Sequence, residues 1–503
     1  MLVLPLLLAL SAAQCDGSLQ PALLALKENN AEKASSLLKS VPAECMNSSS
    51  YYALSGVASE ISGKPLEAET ALRKAISLDP KSAQLREQLG AIYLRDKKAA
   101  EAAVEFKQAV SLDPSNPSIK KYLIGAYVQI GDWQHASALF NQIGGAGSDV
   151  SDPILVLWFA QTLLETKQLN RIDHEISPEQ AGMPPVLLFS LGTLFAKHEL
   201  YQRAVRFLQR IPTDDADDAV YFNLGLAYSH LHLFEEARRN YFLAIDKHPD
   251  HVEAYFRVGL DYSAAGHGAK AVPWLYRARD FAPRRPDISY ALAEQLLQLN
   301  YSESAEKIVA QAFEMSPGNS VLLVASADIE QQKGHSAVAI SNYKKALAQE
   351  PKLIAALVGL ARVAASQGKD DESRKYLDEA LSIDSDSPPP NGELGLLEAR
   401  HENWAAALPR LKKAWGGDRS NKTVGLQLAR ALRHTGRAPE ALHVLTSLQS
   451  LMSDSPGFHL ELAQVYGQVH RLADARAERE MVAKLERQTQ DALRFDNPTT
   501  YVH

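Results

Sequence analysis

Residues 252–285 read VEAYFRVGLDYSAAGHGAKAVPWLYRARDFAPRR, and residues 286–319 read PDISYALAEQLLQLNYSESAEKIVAQAFEMSPGN. The two strings share one skeleton. Pro283 and Pro317 stand 34 residues apart; the interval recurs at Pro249 and Pro351, and earlier between Pro80 and Pro114. Setting these prolines at place 32 of a 34-residue unit gives a register for most of the chain. Small residues then fall at place 8, among them Gly56, Gly90, Gly192, Gly225, Gly259, Ala293, Ala327 and Gly395. Alanine recurs at place 20, as in Ala68, Ala102, Ala237, Ala271, Ala305 and Ala339, and at place 27, as in Ala75, Ala109, Ala244, Ala278 and Ala346. Large residues fill place 24: Phe106, Phe140, Tyr241, Leu275 and Tyr343.

Apolar residues at helical spacing give each unit two amphipathic helices. Small residues at places 8 and 20 let the paired helices approach closely, and the larger residue at place 24 fills the space beside them. Glycine at place 15 (Gly63, Gly131, Gly266, Gly334, Gly368, Gly436) ends the first helix, because it accepts a left-handed conformation. Proline at place 32 ends the second. These places and this period resemble the tetratricopeptide repeat family. The resemblance implies an all-α fold: a right-handed α-solenoid of about fourteen 34-residue helix–turn–helix units. Units begin near 15, 49, 83, 117, 151, 185, 218, 252, 286, 320, 354, 388, 422 and 456. The first and fifth fit worst, and the fifth lacks the small residue at place 20.

Interruptions suggest boundaries. Met1–Ala13, MLVLPLLLALSAA, is too short to cross a bilayer. It is expected to be a secretory signal peptide cleaved after Ala13; Pro5 and the lack of a polar face argue against a buried helix. Gly144-Gly145-Ala146-Gly147-Ser148 breaks the pattern. The expected order is a signal peptide at 1–13, an N-terminal stack at 15–143, a glycine-rich joint at 144–150, a C-terminal stack at 151–489 and a tail at 490–503. The charge-mixed segment 473–494 suits the polar cap that the open end of a solenoid needs. Asp214, Asp215, Asp217 and Asp218 suit the positive start of a helix better than a metal site.

The chain has two cysteines in 503 residues, which excludes a disulfide-dense scaffold and a cysteine-rich zinc module. Within the repeat register Cys15 falls at place 1 and Cys45 at place 31. Antiparallel helices bring those two places to the same end of one hairpin. A Cys15–Cys45 disulfide is therefore expected in an oxidising compartment, stabilising the hairpin by roughly 3–4 kcal/mol through chain entropy. Two free thiols are the alternative. A third possibility is lipidation of Cys15, since Ala12-Ala13-Gln14-Cys15 is close to a bacterial lipobox, with Gln14 out of pattern; lipidation and the bridge exclude each other.

Neither composition nor motif points to chemistry. Net charge is −7, so a nucleic-acid footprint is not expected. The glycines at 144–147 lack the Gly-Lys-Ser/Thr of a phosphate-binding loop. His230 and His232 fall at a turn, and His248 and His251 at the opposite end of that hairpin, so solvent-facing histidines are expected there rather than a metal site. No catalytic, cofactor or metal residues are nominated, and the repeats leave no room for a separate catalytic domain.

Function is expected along the groove lined by first helices, which the resemblance assigns to places 2, 5, 9, 12 and 13. Place 5 holds Phe189, Phe222, Phe256 and Tyr290 in four successive units, with Leu226 and Leu260 at place 9. These are the candidate partner-binding residues, as an aromatic ladder of binding anchors; packing between neighbouring helices is the competing expectation. The basic and asparagine pairs by which chaperone-binding members hold a terminal carboxylate are not evident. The expected function is an exported, non-enzymatic scaffold binding other proteins or peptides, periplasmic or extracellular. Alternatives are a lipid-anchored assembly factor of a bacterial envelope complex, touching membrane only through Cys15, and an enzyme's regulatory subunit.

Overall fold

The computed structural model describes residues 15–145, 152–179, 182–419 and 421–495. The expected signal peptide at 1–13, residues 146–150 of the expected joint and residues 496–503 of the expected tail lie outside the described residues. Among the described residues twenty-eight α-helices follow one another from Asp16–Lys27 to Leu472–Phe495, paired as fourteen hairpins. No strand occurs among the described residues. No described helix is long and apolar enough to cross a membrane. The chain forms two compact units that divide between Asp215 and Ala216. The first holds six hairpins, with the start of the expected joint inside it; the second holds eight.

Every hairpin turns through one residue with a left-handed backbone. Glycine takes that position in six, at the positions expected, with φ from 73° to 83°. In the other eight it is Asn29, Lys97, Lys167, Glu199, His232, Asn300, Glu402 and His470, with φ from 57° to 63°. The next residue then donates its N–H back across the turn, as Lys98 does to Tyr93 O at 2.8 Å and His335 to Glu330 O at 2.8 Å. That bond satisfies a carbonyl the helix end would otherwise leave open, and it explains why the turn holds its shape without glycine.

The other helix ends follow from short polar side chains and alanine. Asn116 Oδ1 accepts from the N–H groups of Ser118 and Ile119, and Asn319 Oδ1 from Val321 and Leu322, capping first helices. Asp217 caps Asp218–His230 by accepting from Val220 N at 3.0 Å, the role expected for that acidic run. Second helices close on place 27: Asp79 N–H donates to Ala75 O and Asp113 N–H to Ala109 O, both at 2.9 Å.

The core lies between the two helices of each pair and between neighbouring pairs. The twelve place-20 alanines, from Ala34 to Ala475, are at most 3% exposed. Place 8 meets place 24 across each hairpin that carries glycine at place 8. A methyl group built on Gly90 would come within 2.8 Å of the Phe106 ring, and one on Gly225 within 2.5 Å of Tyr241. Place 24 is filled by wholly buried Leu72, Phe106, Phe140, Tyr241, Leu275 and Leu411. Each such side chain contributes about 1.5–3 kcal/mol from burial.

The fifth hairpin departs from the register. Its helices are Pro153–Glu165 and Leu169–Glu175, and its left-handed residue is Lys167, two places later than a unit beginning at 151 requires. With that shift Ile172, 1% exposed, takes the place that alanine holds elsewhere. A branched side chain there replaces the close helix approach, and the second helix stops after 7 residues.

Candidate partner-binding groove

The expected aromatic ladder is distributed over both units. Phe189 is half-buried in the first. In the second, Phe222 and Leu226 are half-buried against the cluster of Ala237, Tyr241, Ala254 and Val258. The Phe222 ring lies 5.8 Å from that of Tyr241 and 4.9 Å from that of His251. Phe256 is 8% exposed within a separate cluster, with the Arg285 guanidinium 5.3 Å from its ring. Leu260 and Tyr290 pack on that same cluster, half-buried. The place-5 rings thus give most of their faces to neighbouring helices, and Tyr290 is the one of the six candidates that lines the cavity described next.

In the second unit the first helices Pro286–Gln298, Ser320–Gln332, Ile354–Ser366 and Pro388–Arg400 pack in succession. Together with the start of Lys422–His434 they line a cavity of about 650 Å³. Four of its lining residues, Tyr290, Glu294, Leu297 and Gln298, stand at places 5, 9, 12 and 13 of one hairpin. Residues at the same place of successive units form a row. At place 9 that row runs Leu226, Leu260, Glu294, Asp328, Arg362, Leu396. It changes from leucine to charge at residue 294, and the three charged members all face the cavity. That change is the sequence signal that a search for aromatic anchors passes over.

A hydrogen-bond network holds part of this row. Arg362 Nε donates to Glu393 Oε1 at 2.6 Å. The Tyr343 hydroxyl lies 2.5 Å from Asp328 Oδ1 and 3.2 Å from Gln331 Oε1, so its single proton is shared between two acceptors. The next unit but one repeats the inter-unit pair: Arg430 at place 9 meets Glu461 at place 6, as Arg362 meets Glu393. Glu461 is 3% exposed and also takes Arg433 Nε at 2.6 Å.

Electrostatics in the cavity are one-sided. Its lining carries four carboxylates, Glu294, Asp328, Glu393 and Asp418, against the single guanidinium of Arg362. Protein crowding around the groove wall raises the Glu294 carboxyl above its ordinary value, and the nearby Asp328 adds to the rise. Glu294 is nonetheless open to the groove, so the crowding acts from the sides and floor. Asp328 is raised chiefly by loss of water, against which the Tyr343 hydroxyl and Arg362 act. For Arg362, loss of water works against the charge, but Glu393 and Asp328 outweigh it and hold the guanidinium above its usual range.

Two other expectations have definite positions. Cys15 and Cys45 are joined as a disulfide with Cα atoms 5.6 Å apart, packed on Leu19, Val41 and Leu54. His248 Nδ1 lies 3.1 Å from Asp218 Oδ2 and its Nε2 2.9 Å from Asp250 Oδ1, while His251 Nδ1 accepts from Ala254 N. Among the described residues no group of three or more His, Cys, Asp or Glu is placed to hold a metal ion.

Comparison with family models agrees with the repeat unit. A tetratricopeptide repeat family model matches residues 93–152 and 331–390, and a second matches residues 62–117. BBSome complex member BBS4 of Bos taurus is 26% identical over 157 residues, 31% of this chain and 29% of that protein. TPR repeat-containing protein YpiA of Bacillus subtilis is 23% identical over 264 residues, 52% of this chain and 62% of that protein. The matched stretches span less than two thirds of either relative. The crystal structure of a tetratricopeptide repeat protein from Parabacteroides merdae is similar at 16% identity, covering 49% of this chain and 97% of that one with a TM-score of 0.42. The chain thus carries tetratricopeptide repeats at residues 62–152 and 331–390, and the same hairpin recurs through the other described residues.

Proposed function

We propose that this protein is an exported, non-enzymatic scaffold that holds a segment of a partner polypeptide along the first helices of its second unit. Tetratricopeptide repeats serve in general as protein–protein interaction scaffolds. The observation that carries the reading for this chain is the cavity of about 650 Å³ lined by places 5, 9, 12 and 13 of one hairpin and by place 9 of each of the next three. Its walls are rigid helices, which hold an extended ligand without first having to order themselves. Repeats occupy nearly all of the described residues, which supports a scaffold over a catalyst.

The apolar run before Ala13 and the Cys15–Cys45 pair support export, because such a bond persists in oxidising compartments. A lipid anchor on Cys15 is the competing reading and requires the same sulfur. The mass of the mature N-terminal peptide separates them: cleavage after Ala13 with a bridged Cys15 supports the first, a diacylglyceryl mass on Cys15 the second.

The groove is tested with a photo-crosslinking amino acid at Leu396, inside the cavity, and at Leu243, on the exposed side of a second helix. Adducts with a discrete polypeptide from Leu396 and none from Leu243 are expected in the native host. Equal adducts from both positions, or none from Leu396, would remove the groove reading.

A further inference from the structure

We propose that the cavity at Tyr290, Glu294, Asp328, Arg362 and Glu393 is a recognition pocket for a lysine or arginine side chain carried by the partner segment. The inference rests on the groove reading above and names the chemistry of its occupant.

The charge arrangement selects the sign. Four carboxylates and one guanidinium line the space. The guanidinium is already committed, since Arg362 donates to Glu393 at 2.6 Å. Asp328 has a neutral partner, the Tyr343 hydroxyl. Glu294 has no hydrogen bond or salt bridge among the described residues. It faces the cavity from place 9 of its hairpin, within the electrostatic reach of Asp328. An anionic segment would add like charge to this wall, and a neutral one would remove water from Glu294 without replacing it. A cation does neither: it pairs with Glu294 and relieves the repulsion between Glu294 and Asp328.

The rest of the lining suits the stem of such a side chain. Tyr290, one turn before Glu294 on the same helix, presents a half-buried ring, and half-buried Leu396 and exposed Pro389 supply apolar surface across the cavity. A long basic side chain buries its methylenes on surfaces of this kind while its charged head stays beside carboxylates and an aromatic face. The cavity also runs along four successive first helices, which accommodates a chain on either side of the basic residue. That extent favours a polypeptide over a free polyamine.

The test selects random peptides displayed on phage against the full chain, repeated with Glu294→Gln, Asp328→Asn and Arg362→Gln. Each variant is first checked for the wild-type thermal transition by circular dichroism. Recovered peptides are labelled with fluorescein and titrated by anisotropy. A basic residue at one peptide position is expected, and replacing it with glutamine should weaken binding about tenfold. Glu294→Gln should cause a similar loss for the basic peptide and little further loss for its glutamine counterpart, the signature of direct coupling. Arg362→Gln removes the competing cation and should tighten binding several-fold.

Basic peptides that bind Glu294→Gln and the wild type equally would overturn the proposal. So would displacement by spermine with no preference among basic peptide sequences. Peptides lacking a basic residue that crosslink at Leu396 would overturn this inference and leave the groove reading standing. No peptide crosslinking at Leu396 would remove the groove reading and this inference with it.

Discussion

Tyr343 occupies the space that a side chain at Gly359 would need. A methyl group built on Gly359 would lie 2.3 Å from the Tyr343 ring, and the hydroxyl of that ring reaches Asp328 Oδ1 at 2.5 Å. The glycine belongs to the first helix of one hairpin, Ile354–Ser366, and the tyrosine to the second helix of the hairpin before it, Ser336–Gln349. The absence of a side chain in one unit thus lets a phenol from another set the position of a groove carboxylate.

Gly359→Ala is expected to destabilise the second unit by about 1–3 kcal/mol, because the ring has no open space to move into. Tyr343→Phe keeps the packing and removes the hydroxyl, at a cost of about 1–2 kcal/mol. Urea unfolding followed by circular dichroism measures both. A Gly359→Ala protein as stable as the wild type would show that the contact is slack.

Asp261 is expected to make stability depend on pH. It is 3% exposed, accepts from Ser229 Oγ at 2.6 Å, and is pushed up to about 6 by loss of water. Ser229, Arg238 and Arg257 act against that rise without cancelling it, and the buried Tyr241 hydroxyl is in turn raised in part by Asp261. A carboxyl whose folded value lies above its unfolded value costs nothing when protonated in both states. The cost develops as pH rises from about 4 to about 6 and reaches about 3 kcal/mol above that. Asp261→Asn should therefore raise the urea midpoint at pH 7.5 and leave it unchanged at pH 4. An equal change at both values would mean that ionisation of Asp261 is not the cause.

The disulfide is expected to matter locally. In a repeat stack each hairpin contacts chiefly its neighbours, so losing the bridge should loosen the first hairpin and leave the rest intact. Cys15→Ser with Cys45→Ser should cost the hairpin about 3–4 kcal/mol. Hydrogen exchange over residues 16–39 should quicken, with residues 218–468 unaffected. Uniform quickening along the chain would contradict this local role.

Left-handed turns offer a paired test. Gly368 has φ of 73° and open space around its α-carbon, so Gly368→Ala carries only the conformational penalty, about 1 kcal/mol. Lys97 has φ of 60° and the same role in another hairpin, so Lys97→Gly should stabilise by a similar or smaller amount. Thermal unfolding of the two variants should shift in opposite directions. Shifts of the same sign would show that side-chain contacts govern these turns.

The repeat register was legible in the sequence, because what writes it is local and recurrent. Proline ends a helix wherever it falls, glycine accepts positive φ, and the volumes at places 8, 20 and 24 must fit one another in every hairpin. That Cys15 and Cys45 meet at the same end of one hairpin follows from the same antiparallel geometry, with Cys45 in the turn beyond Lys39. Even the misfit of the fifth unit is visible in sequence, although its size is not. Only the packed helices put Lys167 at the turn and Ile172 in the core.

The groove was legible only as a set of places. Sequence marks Tyr290 and the aromatic rings before it, but a ring at place 5 can serve either a groove or a core. Packing decided the matter position by position, enclosing Phe256 and leaving Tyr290 at a cavity wall. The Arg362–Glu393 pair and the Tyr343–Asp328 bond join side chains 15 or more residues apart, and Glu294 faces the same cavity without such a bond. Their meeting depends on how one hairpin is laid against the next. Helix formation and turns depend on neighbours in sequence, so the sequence determined them. Charge complementarity in the cavity depends on neighbours in space, so only the tertiary structure could decide it.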